Sequence, residues 1–176
     1  MSLHDVMGKL SEQAQDATLR LWERWEAEEI TEAEFRALAG AALAQYGAKG
    51  SALADAALAA SLTVMIGSVM VTTGELQDPS EGAAAAVDET LGSEAFQRDP
   101  ANAVAVMGSA FALASMQESF GRGMKSQGVE LWVREPNPGA CEMCTDLADV
   151  YLPVTVEMFH HKGCVCIQKP VQMKGA

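Results

Sequence analysis

Aromatic residues make up only 6% of this 176-residue chain, and 12 lysines and arginines face 24 acidic residues. With few aromatics, alanine and aliphatic side chains must fill the interior, which predicts a helical core packed from small residues. The shortage of cations argues against direct DNA binding by the body of the chain, because phosphate contacts need clustered Lys and Arg to displace counterions. The deficit is uneven: of a formal net charge of −12, residues 1–124 carry −11 and residues 125–176 only −1. Cysteine is absent before position 141, and there are three histidines in all. Residues 1–124 contain no glycine-rich phosphate loop, no Ser/His/Asp pattern and no internal repeat. Nothing at the N-terminus resembles a signal peptide, since His4, Asp5 and Lys9 interrupt the first ten residues. Long hydrophobic runs are missing too. The charge-free stretch Ala56–Val71 spans sixteen residues, short of the roughly 18–20 a bilayer requires, and is diluted by Ala, Ser, Thr and Gly. It is expected to be a buried helix, with no membrane partner.

What is present suits a soluble protein with one core, or a core and a small satellite: 49% hydrophobic and 20% charged residues. Leu3, Met7, Leu10, Ala14, Ala17, Leu21 and Trp25 alternate in steps of four and three, a helix with an apolar seam about three heptads long. That seam either packs on its own protein or docks against a second copy. Thr31 and Glu34 stand at capping-box spacing, opening a helix with Phe35, Leu38, Ala39, Ala42, Leu43 and Tyr46 on one face. Gly47 or Gly50 is expected to end it, with Ser51 capping a further helix to about Val71. Asp78-Pro79-Ser80 breaks the chain before a short helix from Gly82 to Leu91. Asp99-Pro100 starts another that runs to roughly Phe120, where Gly121-Arg122-Gly123 is expected to stop it.

After residue 124 the pattern changes. Val129, Leu131 and Val133 alternate with Glu130, Trp132 and Arg134, as in a half-buried strand. Pro136-Asn137-Pro138-Gly139 forces a turn, Val150–Val156 predicts a second strand and Val165–Val171 a third. Strands this short need an external staple. All four cysteines, with His160 and His161, lie within residues 141–166. Cys141-x2-Cys144 presents two thiolates from a tight turn. A second group, His161, Cys164 and Cys166, follows after sixteen intervening residues, close to the spacing of tetrahedral zinc sites. Cys141, Cys144 and Cys164 are the expected ligands, with His161 ahead of Cys166 for the fourth place and His160 facing solvent. Disulfides and free buried thiols are the alternatives, the former disfavoured in a reducing compartment. With up to five soft ligands the shell should be closed and the zinc structural. A deaminase would need His-x-Glu and then Pro-Cys-x-x-Cys, and neither is met.

The order Trp132-Val133-Arg134, Pro138-Gly139-Ala140-Cys141-Glu142-Met143-Cys144, Leu147-Ala148, Phe159-His160-His161-Lys162-Gly163-Cys164-Val165-Cys166 and Pro170-Val171 resembles the C-terminal signature of the phage Mu F-like minor head proteins, the head-morphogenesis proteins of tailed phages. The likeness covers roughly Val129 to Val171. It departs where the family often has His-Pro-Asn-Cys-Arg-Cys, since this chain has Lys162-Gly163 and Val165. The resemblance implies a non-enzymatic virion component, attached inside the head near the portal and acting in head assembly or genome delivery. Its implied partners are portal, capsid or scaffold proteins, with indirect contact to packaged DNA, and it would pass through the bacterial cytoplasm during assembly. From the residues alone, a zinc-ribbon adaptor or regulator binding a host protein or nucleic acid is the competing reading. The expected fold is α+β: an alanine-rich helical body over residues 1–124, then a zinc-stapled antiparallel β module over residues 125–176.

Overall fold

A computed structural model describes residues 2–74, 78–158 and 164–174. The chain begins with α1 (Leu3–Glu26), α2 (Glu32–Ile66), α3 (Ser80–Leu91), α4 (Glu94–Arg98) and α5 (Pro100–Ser126). It continues with β1 (Val129–Glu135), α6 (Glu142–Asp146), β2 (Leu152–Pro153) and β3 (Ile167–Met173). The strands form one antiparallel sheet in the order β2-β1-β3. The fold is α+β, as expected.

Local signals explain most helix starts. Ser2 with Asp5, and Thr31 with Glu34, form reciprocal capping boxes at the starts of α1 and α2. Asp99 caps α5 ahead of Pro100. The α1 seam differs from the heptad reading by one position: Met7, Leu10 and Ala14 are buried, but the next buried residue is Thr18 rather than Ala17. A straight helix repeats every 3.6 residues, so a strict 3.5-residue pattern drifts off the contact face within a few turns. The Thr18 hydroxyl has the carbonyl oxygens of Ala14, Gln15 and, across the interface, Val104 within hydrogen-bond distance as acceptors for its single proton. The seam is thus spent on the chain's own helices.

The expected break at Gly47 or Gly50 is not there. α2 runs unbroken for 35 residues to a left-handed cap at Gly67. Both inner glycines are close-approach points. A Cβ on Gly47 would stand 2.9 Å from the Phe111 ring, and one on Gly50 3.0 Å from the Ala112 carbonyl oxygen. Ser51, expected as a cap, is buried and shares a hydrogen bond with Ser119. α2 is long and apolar enough to cross a membrane by length and composition, yet it packs here along α1, α3 and α5. Likewise Gly121 and Gly123 do not end α5, which continues to Ser126. A Cβ on Gly123 would meet Leu58 at 2.7 Å.

The tightest approach joins α1 to α5 at Gly108, where a Cβ would stand 2.5 Å from Thr18 Oγ1 and 2.6 Å from the Ala14 carbonyl oxygen. Gly108→Ala should gain about 1 kcal/mol in helix propensity and lose about 1–3 kcal/mol to overpacking. The obstacle is backbone and cannot swing aside, so a net loss is expected. A urea midpoint equal to or above wild type would contradict this packing.

The second strand shrinks from the expected Val150–Val156 to Leu152–Pro153. Pro153 lacks an N–H, and the chain turns directly after it, with Val156 N bonded to Pro153 O. The third shifts from Val165–Val171 to Ile167–Met173 and tolerates Pro170 because it is an edge strand. The sheet does not have a core to itself. Val129, Trp132 and Met158 join Met7, Leu58, Leu62, Leu113, Met116, Phe120 and Met124 in one cluster. The expected division at 124/125 therefore runs through shared packing, inside the last turn of α5. A second cluster, around Phe35, Leu43, Val87 and Val104 with Trp22, Trp25 and Phe96 at its edge, belongs to the helical body and includes Ile30 of the α1–α2 connection.

Candidate metal centre

The sheet's far end opens onto the cysteines. After β1 the chain turns through Pro136–Gly139, with Gly139 at a φ of 82°, and enters α6. Cys141 is the N-cap of this helix and Cys144 lies within it. The Cys-x2-Cys pair thus sits at the N-cap and third helical positions, which share one face of the first turn. Cys164 and Cys166 arrive on the segment leading into β3, and being two residues apart they can project to one side of the extended chain.

Among the described residues, the sulfurs of Cys144, Cys164 and Cys166 all lie within 4.8 Å of one another. Cys144 is 2% exposed, Cys164 4% and Cys166 0%. Cys141 is exposed at the rim and adjoins Cys144, outside the group of three. The Cys144 and Cys164 sulfurs are 3.8 Å apart. A tetrahedral site with zinc–sulfur bonds of about 2.3 Å has edges of about 3.8 Å. The donor set therefore fits a single soft cation. It is consistent with zinc, without singling zinc out from other thiophilic ions.

Of the sequence-predicted ligands, the structure brings Cys141, Cys144, Cys164 and Cys166 together. Cys166, ranked behind His161 for the fourth place, is a full member of the buried cluster. His161 and its neighbour His160 lie outside the described residues.

Burial pushes the Cys144 thiol up to about 12, helped by the adjoining sulfurs of Cys141, Cys166 and Cys164. Burial likewise raises Cys164. At Cys166 the same desolvation is outweighed by hydrogen bonds from the Asn137 backbone, Cys164, Cys144 and Arg134, and its thiol is lowered. A bound dication would stabilise all these sulfurs as thiolates and displace their protons.

Three residues that the Cys/His pattern did not single out build the surroundings. Gln117 of α5 donates its amide to the carbonyl oxygens of both Cys164 and Cys166, each at 3.2 Å, pinning the second ligand segment to the helical body. Asn137 Oδ1 stands 3.3 Å from Cys166 Sγ. Arg134, 3% exposed, places Nη1 3.5 Å from Cys144 Sγ and 3.8 Å from Cys164 Sγ. Of these only Arg134 left a trace in the sequence, as a cation inside a strand next to a tryptophan. Arg134 and Asn137 thus flank the sulfurs directly, while Gln117 holds the backbone that carries two of them. The arrangement can hold an ion and cross-link two chain segments. No protein family, curated protein or solved structure matches the chain.

Proposed function

We propose that this protein is a structural, non-enzymatic minor head protein of a tailed phage, in which one zinc ion staples the C-terminal sheet to the helical body. In this reading it sits inside the head near the portal and serves head assembly or genome delivery. The supporting observation is the convergence of the Cys141–Cys144 and Cys164–Cys166 pairs beside Trp132 and Arg134. Those are the residues on which the resemblance to the Mu F-like proteins rests. An all-soft ligand shell buried against a strand is the chemistry of a staple, since a catalytic zinc keeps one position for water or substrate. The helical body, with most of the net charge of −12, repels DNA directly and suits docking on protein instead.

The test is an affinity pull-down of the full chain from infected or co-expressing cells. The portal protein is expected to co-purify, with one zinc per chain by elemental analysis. Metal present with no head protein captured would defeat the capsid reading and favour the zinc-ribbon adaptor.

A further inference from the structure

Arginine is an expensive residue to bury, and Arg134 is more than nine-tenths buried at an interior position of β1. Its placement follows from the strand. Trp132 and Arg134 are two residues apart and so project to the same face. Trp132 is fully buried in the shared core, and its Nε1 donates to the Pro153 carbonyl at 3.2 Å. With the tryptophan locked, the strand delivers the guanidinium to the cysteines. Nη1, Cys144 Sγ and Cys164 Sγ form a triangle with sides of 3.5, 3.8 and 3.8 Å. The guanidinium therefore meets one sulfur of each ligand pair.

Resting on the zinc reading, we infer that Arg134 is the positioning residue of the metal centre: its guanidinium offsets the negative charge of the metal-bound thiolates and holds the two ligand segments at their bound separation. The electrostatics require such a group. Three thiolates around a dication leave one net negative charge, and four leave two. In a buried site of low dielectric, that charge is costly unless a cation or hydrogen-bond donors face it. Arginine meets both needs, with a permanent charge and a planar fork of donors wide enough for several sulfurs. Lysine offers the charge at a single point. Partners of metal ligands are part of the site's affinity, typically by about 10–100-fold.

The experiment uses the full chain with Co²⁺ as spectroscopic probe and Zn²⁺ in competition with a chelating dye. Arg134→Met keeps an unbranched apolar stem and removes the charge and the donors. It is expected to weaken metal binding by about 10–100-fold and to shift the thiolate-to-cobalt charge-transfer band, with helical circular dichroism unchanged. Arg134→Lys restores the charge without the fork, so its affinity should fall between the two. Wild-type affinity and an unshifted band in Arg134→Met would overturn the inference while leaving the zinc site standing. If Arg134→Met does not fold, Arg134→Lys decides by the same two readouts, and a wild-type result there also overturns it. Failure of the wild-type chain to bind either metal would sink the zinc reading itself, and this inference with it.

Discussion

Stripping metal from the purified protein with a chelator should lower its melting temperature by about 8–16 °C. A ligand present at a thousand times its dissociation constant stabilises the folded state by about 4 kcal/mol. In a chain of this size each kcal/mol moves the midpoint by about 2–4 °C. The loss should be local in structure although global in stability. The Phe35–Val87–Val104 cluster is made by helices and Ile30 of the α1–α2 connection, with no part of the sheet in it, so far-UV circular dichroism should keep most of its helical signal. Residues 141–144 and 164–166 are joined through their sulfurs and through Arg134, and they should come apart.

Serine substitutions sharpen the same test. Cys144→Ser should be more damaging than Cys141→Ser, because Cys144 is buried at the centre of the cluster while Cys141 is exposed at its rim. A buried hydroxyl there neither binds a soft cation nor packs as well as sulfur. The double variant should carry no metal and melt at the temperature of chelated wild type. Elemental analysis that finds no transition metal in untreated protein, or a melting curve indifferent to chelation, would remove the staple from this account.

What was legible in the sequence was local. The Thr31–Glu34 capping box, Asp99-Pro100 and Cys-x2-Cys are patterns within four residues, and each lies where its spacing placed it. Readings that depended on a partner elsewhere in the chain went astray. Glycine ends a helix or admits a neighbour with equal ease: Gly67 caps α2 with a φ of 69°, whereas Gly47 and Gly50 admit Phe111 and Ala112. No local pattern separates the two uses. The order of Cys166 and His161 was likewise undecidable, since ligand choice depends on distances set by β3 and α5. Arg134 stayed hidden for a similar reason. A cation alternating with valines in a strand suggests a solvent face, and only the position of Cys144 and Cys164 makes that face an interior.

The largest single-residue effect should fall outside the ligand set, at Trp132. Truncating a fully buried tryptophan costs about 3–5 kcal/mol, which for this length is about 6–20 °C in the midpoint. Trp22 and Trp25 are only partly buried at the edge of the second cluster, so their truncation should cost less. Trp132 also bridges what the sequence presents as two units, packing β1 into the cluster with Met7, Leu58, Leu113, Met116, Phe120 and Met124. Trp132→Ala should therefore lower one cooperative transition seen alike by helical circular dichroism and by metal release. Trp132→Phe keeps most of the packing and gives up the bond to the Pro153 carbonyl, for a smaller loss. Metal affinity should fall in the alanine variant as well, because the strand that presents Arg134 has lost its anchor. If the helical transition instead kept its wild-type midpoint while the metal came off at a lower temperature, the sheet would be an autonomous unit after all. The boundary at residue 124 would then mark a true domain division, and the shared core would contribute little to either side.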